Sequence, residues 1–504
     1  MNARTLVFVS VVVLGACLSG CMVGPKYRRP VVPVPARYTE LPGWTVAKPA
    51  AAAPKGDWWV GFHDPLMDEL EPQVAVSNQT VRQDYANYQQ ALAEVKLARS
   101  QLFPTIGLTG SVTRSGGNTA AGAAASVGSG SSAVINTAAL EGTASWSPDL
   151  WGEVRRLIQE NTATAQADAA ILANATLSEQ TLLATTIIEL RATDADIDLE
   201  RKTIKAYRHA LHVTEQQAQA GITSAPPSAV ITARVALETA EADLIGLGVT
   251  RAQYTHAIAV LVGKNPEDLD VAHNGRLPTL PAIPVGVPST LLQRRPDIAA
   301  AERTVAAQNA AIGIVVAAYY PTLSLSALGG FAQTPLGGLL HTANHVWSLG
   351  ATTAETLLDF GARRAEVAAA RAAYESAVAN YRGTVLSAFE DVENDLAGLR
   401  ILAEQSQALH VAVRDAIRGT QIAIAEFEIG TADYTTVAAA QETQLSDQQA
   451  ALTVQESRLV DAVSLIGDLG GGWSESQLQD PRHSRPAAAR RSCNGVLRSC
   501  SARR

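Results

Sequence analysis

Three stretches carry side chains whose types and spacing could do chemistry. Asp194-Ala195-Asp196-Ile197-Asp198 sets three carboxylates on alternate residues, as at the start of a calcium loop. The sixth and twelfth places hold Leu199 and Lys205, where such a loop needs a turn glycine and a bidentate glutamate. The stretch therefore reads as the charged face of a helix. His209 and His212 are three apart and could share a metal on one helical turn, but no cysteine or further histidine joins them locally; solvated surface is the better reading. Gly263-Lys264 lacks the upstream glycine and the following Ser or Thr of a phosphate loop. With three methionines in the whole chain, a thioether relay for soft metals is not visible. No catalytic set, metal site or cofactor site emerges, so the chain is read as something other than an enzyme.

One further residue suggests chemistry done to the protein. LVFVSVVVLGACLSG (6–20) follows Arg4 and ends at Cys21, the layout of a secretory signal peptide, too short to serve as an ordinary membrane-spanning helix. Cys21 is either an incidental small residue of that leader, as Cys17 is, or an acylation site. Leu18-Ser19-Gly20-Cys21 resembles the bacterial lipobox, whose cysteine takes a diacylglycerol and becomes the new N-terminus. The apolar run, the small residues and the position agree with it. In such lipoproteins Met22, rather than Asp, after the cysteine implies the outer membrane. Residues 1–20 are thus expected to be removed. Residues 21–63 should form an acylated, extended segment, because Pro25, Pro30, Pro33 and Pro35 prevent a helix.

Composition limits the possible folds and partners. The 504 residues are 5% aromatic and rich in alanine, which suits closely approaching helices. The net charge is −8; setting aside the Arg-rich tail (474–504) and Arg4 leaves about −14 on residues 21–473, an argument against a nucleic-acid partner. Cys493 and Cys500 lie in that tail, so no disulfide framework holds the fold. No segment after Cys21 approaches 18 uninterrupted apolar residues, and any membrane crossing must be made by strands.

Periodicity then gives the elements. Leu183, Leu190, Ile197, Ile204 and Leu211 recur every seven residues, a coiled-coil seam. The places four residues on, Ile187, Asp194, Arg201 and Arg208, are mostly polar, which predicts one narrow buried seam, with much of the helix facing water or a weakly packed neighbour. Val378, Tyr381, Val385, Ala388, Val392, Leu396 and Leu399 alternate in the same way. No proline interrupts Gly152 to Gly221 or Gly361 to Gly430, so each span can be one helix on the order of 100 Å long. The equal lengths point to a duplication. LFPTIGLTG (102–110) matches YYPTLSLSA (319–327), and WSPDLWGEVRR (146–156) matches TLLDFGARR (356–364). The first repeat is read as 64–273, with strand-loop-strand 104–150, long helix 152–220 and short helix 227–263. A linker covers 274–295. The second repeat is 296–473, with strand-loop-strand 321–359, long helix 361–429 and short helix 434–468. The basic tail is read as disordered. Gly221 and Gly430 close the long helices, and Pro226-Pro227 marks the start of the first short one.

Four strands cannot enclose a lumen, since about eight make the smallest familiar barrel, and an open edge in hydrocarbon leaves backbone groups unpaired. The strands must close with those of other copies. The motifs CMVGPKYRRP (21–30), DWWVGFHDPLMDEL (57–70), LLQRRPDIAAAERTVAAQNAAIGIVVAAYYPTLSLSA (291–327), LLDFGARRAE (357–366), TVLSAFEDVENDL (384–396) and LGGGW (469–473) resemble the outer-membrane efflux channel lipoproteins of the TolC superfamily, the branch that partners RND-type pumps. The resemblance implies a mainly α fold with membrane β structure: a homotrimer with a 12-stranded barrel above a 12-helix periplasmic α-barrel. It also implies a passive duct for drugs or other small organic compounds, anchored to outer-membrane lipid and opened at its periplasmic tip by a periplasmic adaptor and an inner-membrane RND-type pump. In relatives the tip is tied by an Asp and an Arg beyond the turn glycine. Aligned on Gly430 those places hold Ala439 and Glu442, and the preceding apolar gate position holds Thr435. Either Asp433, Tyr434 and Glu442 make a different seal, or the channel is leakier; a solvated tip without a gating role is the plain alternative. A type I protein-secretion channel, or a periplasmic structural coiled-coil lipoprotein with no channel, are the rival functions.

Overall fold

The computed structural model describes residues 22–35, 37–40, 57–117, 133–221, 227–283, 291–333 and 339–478. The signal peptide, Cys21, Pro226 and the tail from 479, with Cys493 and Cys500, lie outside them. Helix α1 (Pro65–Ser77) precedes the first half, which runs through α2 (Gln79–Ser100), β1 (Thr105–Gly117), β2 (Ala133–Trp146), α3 (Glu153–Gln219) and α4 (Pro227–Leu261). The second half is α5 (Pro296–Ala317), β3 (Thr322–Gln333), β4 (His345–Ala354), α6 (Ala362–Glu428) and α7 (Tyr434–Asp468). Corresponding helices have equal lengths: 22 residues in α2 and α5, 67 in α3 and α6, 35 in α4 and α7. None of the described helices is long and apolar enough to cross a membrane.

The same device starts both long helices. Their N-cap residues, Gly152 and Gly361, have no side chain to give. An aspartate just upstream substitutes: Asp149 accepts from the Val154 and Arg155 amides and pairs with the Arg155 guanidinium at 2.9 Å. Asp359 accepts from the Gly361 and Arg363 amides and pairs with Arg363 at 2.7 Å. These contacts hold the Asp359 carboxyl at about 2. Capping at the positive end of a helix dipole explains why the duplicated aspartate and arginine recur together.

Side by side, the four longest helices run α4, α3, α7, α6. Helix α3 is therefore interior, touching α2, α4, α5 and α7. Its seam residues Leu183, Leu190, Ile197 and Ile204 are buried, as are Tyr381, Val385, Ala388, Val392, Leu396 and Leu399 of α6. Between the seam positions α3 also buries charged residues, Arg191, Asp194 and Glu200, where the sequence predicts water or a weakly packed neighbour. Asp194 is 0% exposed, bound to Arg251 of α4 at 2.7 Å, His273 at 2.9 Å and the Asn274 amide at 2.8 Å. It is a buried carboxylate satisfied by a guanidinium, an imidazole and a backbone N–H, and the charged-face reading of the DADID stretch is corrected accordingly. A lone helical wheel could not show it, because the partners come from α4 and the segment after it. Asp64 and Arg191 form a second buried pair at 2.9 Å, and Asp64 also caps α1 through the Leu66 and Met67 amides. Arg295 of the RRPDI motif clasps Asp297, Asp391 of α6 and Asp468 of α7 at 2.8, 3.3 and 3.1 Å. Burial, with the neighbouring Asp468 charge, raises the Asp395 carboxyl well above the usual range.

The strands form one antiparallel sheet in chain order β1-β2-β3-β4. The edges, β1 and β4, belong to different halves, and so do the flanking helices α4 and α6. Asp64→Ala removes a helix cap and strips Arg191 of its buried anion. It is expected to cost about 3–5 kcal/mol, read as a lower melting temperature in thermal unfolding of the purified protein.

Candidate functional site

The sheet has two chemically distinct faces, set by its register. Ile106, Leu108 and Val112 of β1 lie opposite Ala144, Gly142 and Ala138 of β2. The same side continues through Ala327, Phe331, Leu349 and Trp347. Ile106 is 83% exposed, and Leu108, Val112, Leu349 and Trp347 are exposed with it. Thr105, Thr109, Thr113, Thr143, Ser145, Ser326 and Thr352 make the opposite side polar, with Leu328 an apolar exception. Alternation of this kind, apolar toward lipid and polar toward a lumen, is the signature of a barrel wall.

At the helical end of the sheet, aromatic residues collect. Trp151 stacks on Tyr320 with centroids 4.8 Å apart and donates to the Pro321 carbonyl at 2.8 Å. Trp146 donates to the Leu102 carbonyl at 3.1 Å. Leu357, Leu358 and Phe360, in the turn from β4 to α6, are exposed. Rings with one wet and one apolar side suit a membrane–water boundary. The first described residues attach at this level. The Val23 amide donates to the Trp151 carbonyl at 3.0 Å, and the buried Arg156 donates to the Val23 and Gly24 carbonyls at 2.9 and 3.1 Å. Gly24 (φ +90°) passes so close to Gly313 that a Cβ on Gly24 would stand 2.5 Å from the Gly313 Cα. Met22, the residue after Cys21, is thereby held next to the strand bases.

The other end of the molecule is the helical tip. Gly430 (φ +80°) follows α6; its amide donates to Phe427 and the Thr431 amide to Glu426, at 3.0 and 2.9 Å. This paired 5→2 and 6→1 arrangement stops the helix and spares its last carbonyls. Gly221 (φ +73°) ends α3, and Pro227 opens α4 as its first residue. The two tips are fastened together: Gln217 donates to the Phe427 carbonyl at 3.3 Å. Ala210, Ala229, Ala233, Ala423, Phe427, Tyr434 and Val437 share one apolar cluster.

Within this tip, Tyr434 is 1% exposed, its ring edge-on to Phe427 at 5.9 Å. Burial pushes its phenol up to about 12. It is thus a packing residue between the hairpins. Asp433 is exposed and occupies the N-cap of α7 without a side-chain cap bond. Thr435, Ala439 and Glu442 fall on one stripe of α7, opposite the buried Val437 and Gln441, and all three are exposed. Among the described residues, Glu442 and Asp433 make no ion pair. Phe427, Gln217 and Thr420, whose hydroxyl donates to the Ala440 carbonyl at 2.9 Å, escape a sequence reading, since an apolar heptad position does not reveal which hairpin it meets. His209 and His212 are exposed, with His212 beside Gln216 at 3.1 Å.

Above the tip, carboxylates line the joint between hairpins. Glu189 and Asp196 of α3 lie near Glu456 of α7, and Asp196 and Asp243 of α4 lie near Glu200. Gln449 donates to Asp196 at 3.3 Å. Burial, reinforced by Asp196 and Asp243, lifts Glu200 from its ordinary 4.5 to about 7. A raised carboxylate pKa means that the folded state holds its proton more tightly than the unfolded chain does. The penalty for ionising Glu200 is absent below pH 4.5, grows to pH 7 and is full above it. Melting temperature should therefore fall as pH rises through this window, and Glu200→Gln should flatten that slope and melt higher than the parent at about pH 8. An unchanged slope in the variant would show that other groups set it.

A profile of the family described as outer membrane efflux protein matches residues 70–264 and 287–471. The toluene efflux pump outer membrane protein TtgC of Pseudomonas putida is 30% identical over 480 residues, covering 94% of this chain and 96% of that protein. Outer membrane protein OprJ of Pseudomonas aeruginosa is 27% identical over 477 residues, covering 93% and 96%. The solved structure of the outer-membrane channel OprN superposes with a TM-score of 0.83 at 27% identity, over 90% of this chain and 100% of that one. A two-faced sheet set on long paired helices, matched along nearly its whole length, makes this chain a member of the outer membrane efflux protein family, the outer-membrane channel component of an efflux pump.

Proposed function

We propose that three copies of this chain close a 12-stranded barrel over a 12-helix periplasmic tube and act as a passive exit duct for small organic compounds. A periplasmic adaptor and an inner-membrane RND-type pump supply opening and energy. The observation that carries the reading is the matched asymmetry of the two layers. Each has a first-half edge, β1 or α4, and a second-half edge, β4 or α6. An edge of one copy can then meet the opposite edge of the next, a head-to-tail contact that closes into a ring. The flank helices support this, because α4 exposes Ile231, Val235, Ile245 and Val249, and α6 exposes Ile401, Val411, Ile422 and, just past its end, Ile429. Water-exposed apolar seams of this length belong against a partner. The copy number of three rests on the family resemblance. Cys21 is proposed as the acylated residue, since Met22 and Val23 are held at the strand bases. Small organic cargo accords with a relative named for toluene efflux. Detergent extracts should give a heat-modifiable trimer and open-channel currents in planar bilayers; a monomer without currents would refute the duct.

The exposed stripe of α7 is proposed as the gate face, with Asp433, Thr435 and Glu442 presented across the threefold axis and Tyr434 holding the stripe in place from behind. Charge reversal at Glu442 or Asp433 should raise single-channel conductance or antibiotic leak without weakening the trimer, because neither side chain makes a capping bond or an ion pair among the described residues. Recordings of both variants that match the parent would remove the gating role.

A further inference from the structure

A groove of about 630 Å³ opens beside the first described residues, between the start of α3 and α5. That volume is in the range of small-ligand sites. Among the described residues its wall includes Lys26, Arg155, Arg156 and Arg303 and not one carboxylate, in a chain whose net charge is −8. Two of these cations are answered from outside the wall: Arg155 by Asp149 and Arg303 by Glu302. Lys26 is exposed and pairs with none of the described residues. Arg156 is the unusual one. It is 3% exposed, and among the described residues its guanidinium donates to neutral acceptors alone, the Val23 and Gly24 carbonyls and the Gln159 amide oxygen at 3.1 Å. A buried guanidinium without an anion is electrostatically incomplete. The second repeat does not reproduce it, since the equivalent Arg364 is exposed.

The rest of the wall is largely apolar, with Met22, Ile158 and several alanines. The groove also lies at the level where Val23 bonds to Trp151, just below the strand bases. Fixed positive charge beside apolar surface at a membrane boundary fits an amphiphile with a phosphate head. We propose that the groove seats one phospholipid per chain from the periplasmic leaflet of the outer membrane. Its phosphate lies toward Lys26 and Arg156, and its acyl chains run along Met22 and Ile158 toward the strands. The proposal rests on the reading of β1 to β4 as the membrane wall. It gives Arg156 two tasks, holding the N-terminal segment and completing its charge with a lipid anion.

The test is native mass spectrometry of the full-length protein in detergent, titrated with phosphatidylglycerol and, in a separate arm, with glycerol 3-phosphate. The expected result is one phosphatidylglycerol retained per chain, no retention of glycerol 3-phosphate, and about five-fold weaker lipid binding for each of Lys26→Gln and Arg156→Gln. Arg156→Lys should keep most of the affinity. Lys26→Gln breaks no contact among the described residues, so trimer migration and conductance serve as its folding control. Equal lipid retention by the parent and both glutamine variants would overturn the lipid site, and equal binding of glycerol 3-phosphate would make it a soluble-phosphate site instead. Either result, with trimer and conductance intact, leaves the duct reading standing.

Discussion

The unpaired edges of β1 and β4 set the terms for the rest of the molecule. In hydrocarbon each free N–H or C=O costs several kcal/mol, so a four-stranded sheet with an apolar face cannot rest in a membrane alone. In the proposed ring the helices hold both edges in register with those of the next copy, over about 100 Å of rod. Several contacts between elements protect that alignment. The Asp149–Arg155 and Asp359–Arg363 caps fix the angle at which each hairpin of strands enters its long helix. The Arg295 clasp ties α5, α6 and α7 at mid-height, and the Phe427–Tyr434 cluster binds the two hairpins at the far end.

Duplication explains both the economy and the departures of this design. Equal helices of 67 and 35 residues let the halves lie side by side, so one set of packing rules serves twice. The environments are nevertheless unequal. Helix α3 is interior and buries charge against α4 and the segment after it, whereas α6 is a flank and leaves Ile401, Val411 and Ile422 exposed. Arg156 and Arg364 began from the same motif, and only the first meets the N-terminal segment. Symmetry in the sequence thus yields asymmetry in the fold because each half has different neighbours.

The carboxylates between α3 and α7 suit the opening proposed for the tip, which needs a joint that both holds and moves. Apolar packing alone would seal the hairpins permanently, since burial is insensitive to small changes in solution. Half-buried, like-charged groups weaken the joint by an amount that depends on protonation and on nearby cations. The tip therefore combines a firm apolar pin, Tyr434 against Phe427, with a softer, charged seam above it.

The sequence by itself determined the fold class, the long rods and the presence of four strands, because those follow from local rules and repetition: a seven-residue apolar period, the absence of proline between turn glycines, and strand motifs that recur in the second half. It also carried the family, through motifs spread along nearly the whole chain. What only the tertiary structure decided concerns which elements become neighbours. The DADID stretch looked like a wet helix face, yet Asp194 is buried, since Arg251 and His273 reach it from 57 and 79 positions away in the chain. Tyr434, adjacent to the exposed Asp433, turned inward because Phe427 waits across the Gly430 turn. Arg156 took on a buried role that its twin lacks. A single helix's periodicity reports how much of its surface is apolar, but charge burial depends on a partner supplied from elsewhere, and that pairing is fixed only when the hairpins pack.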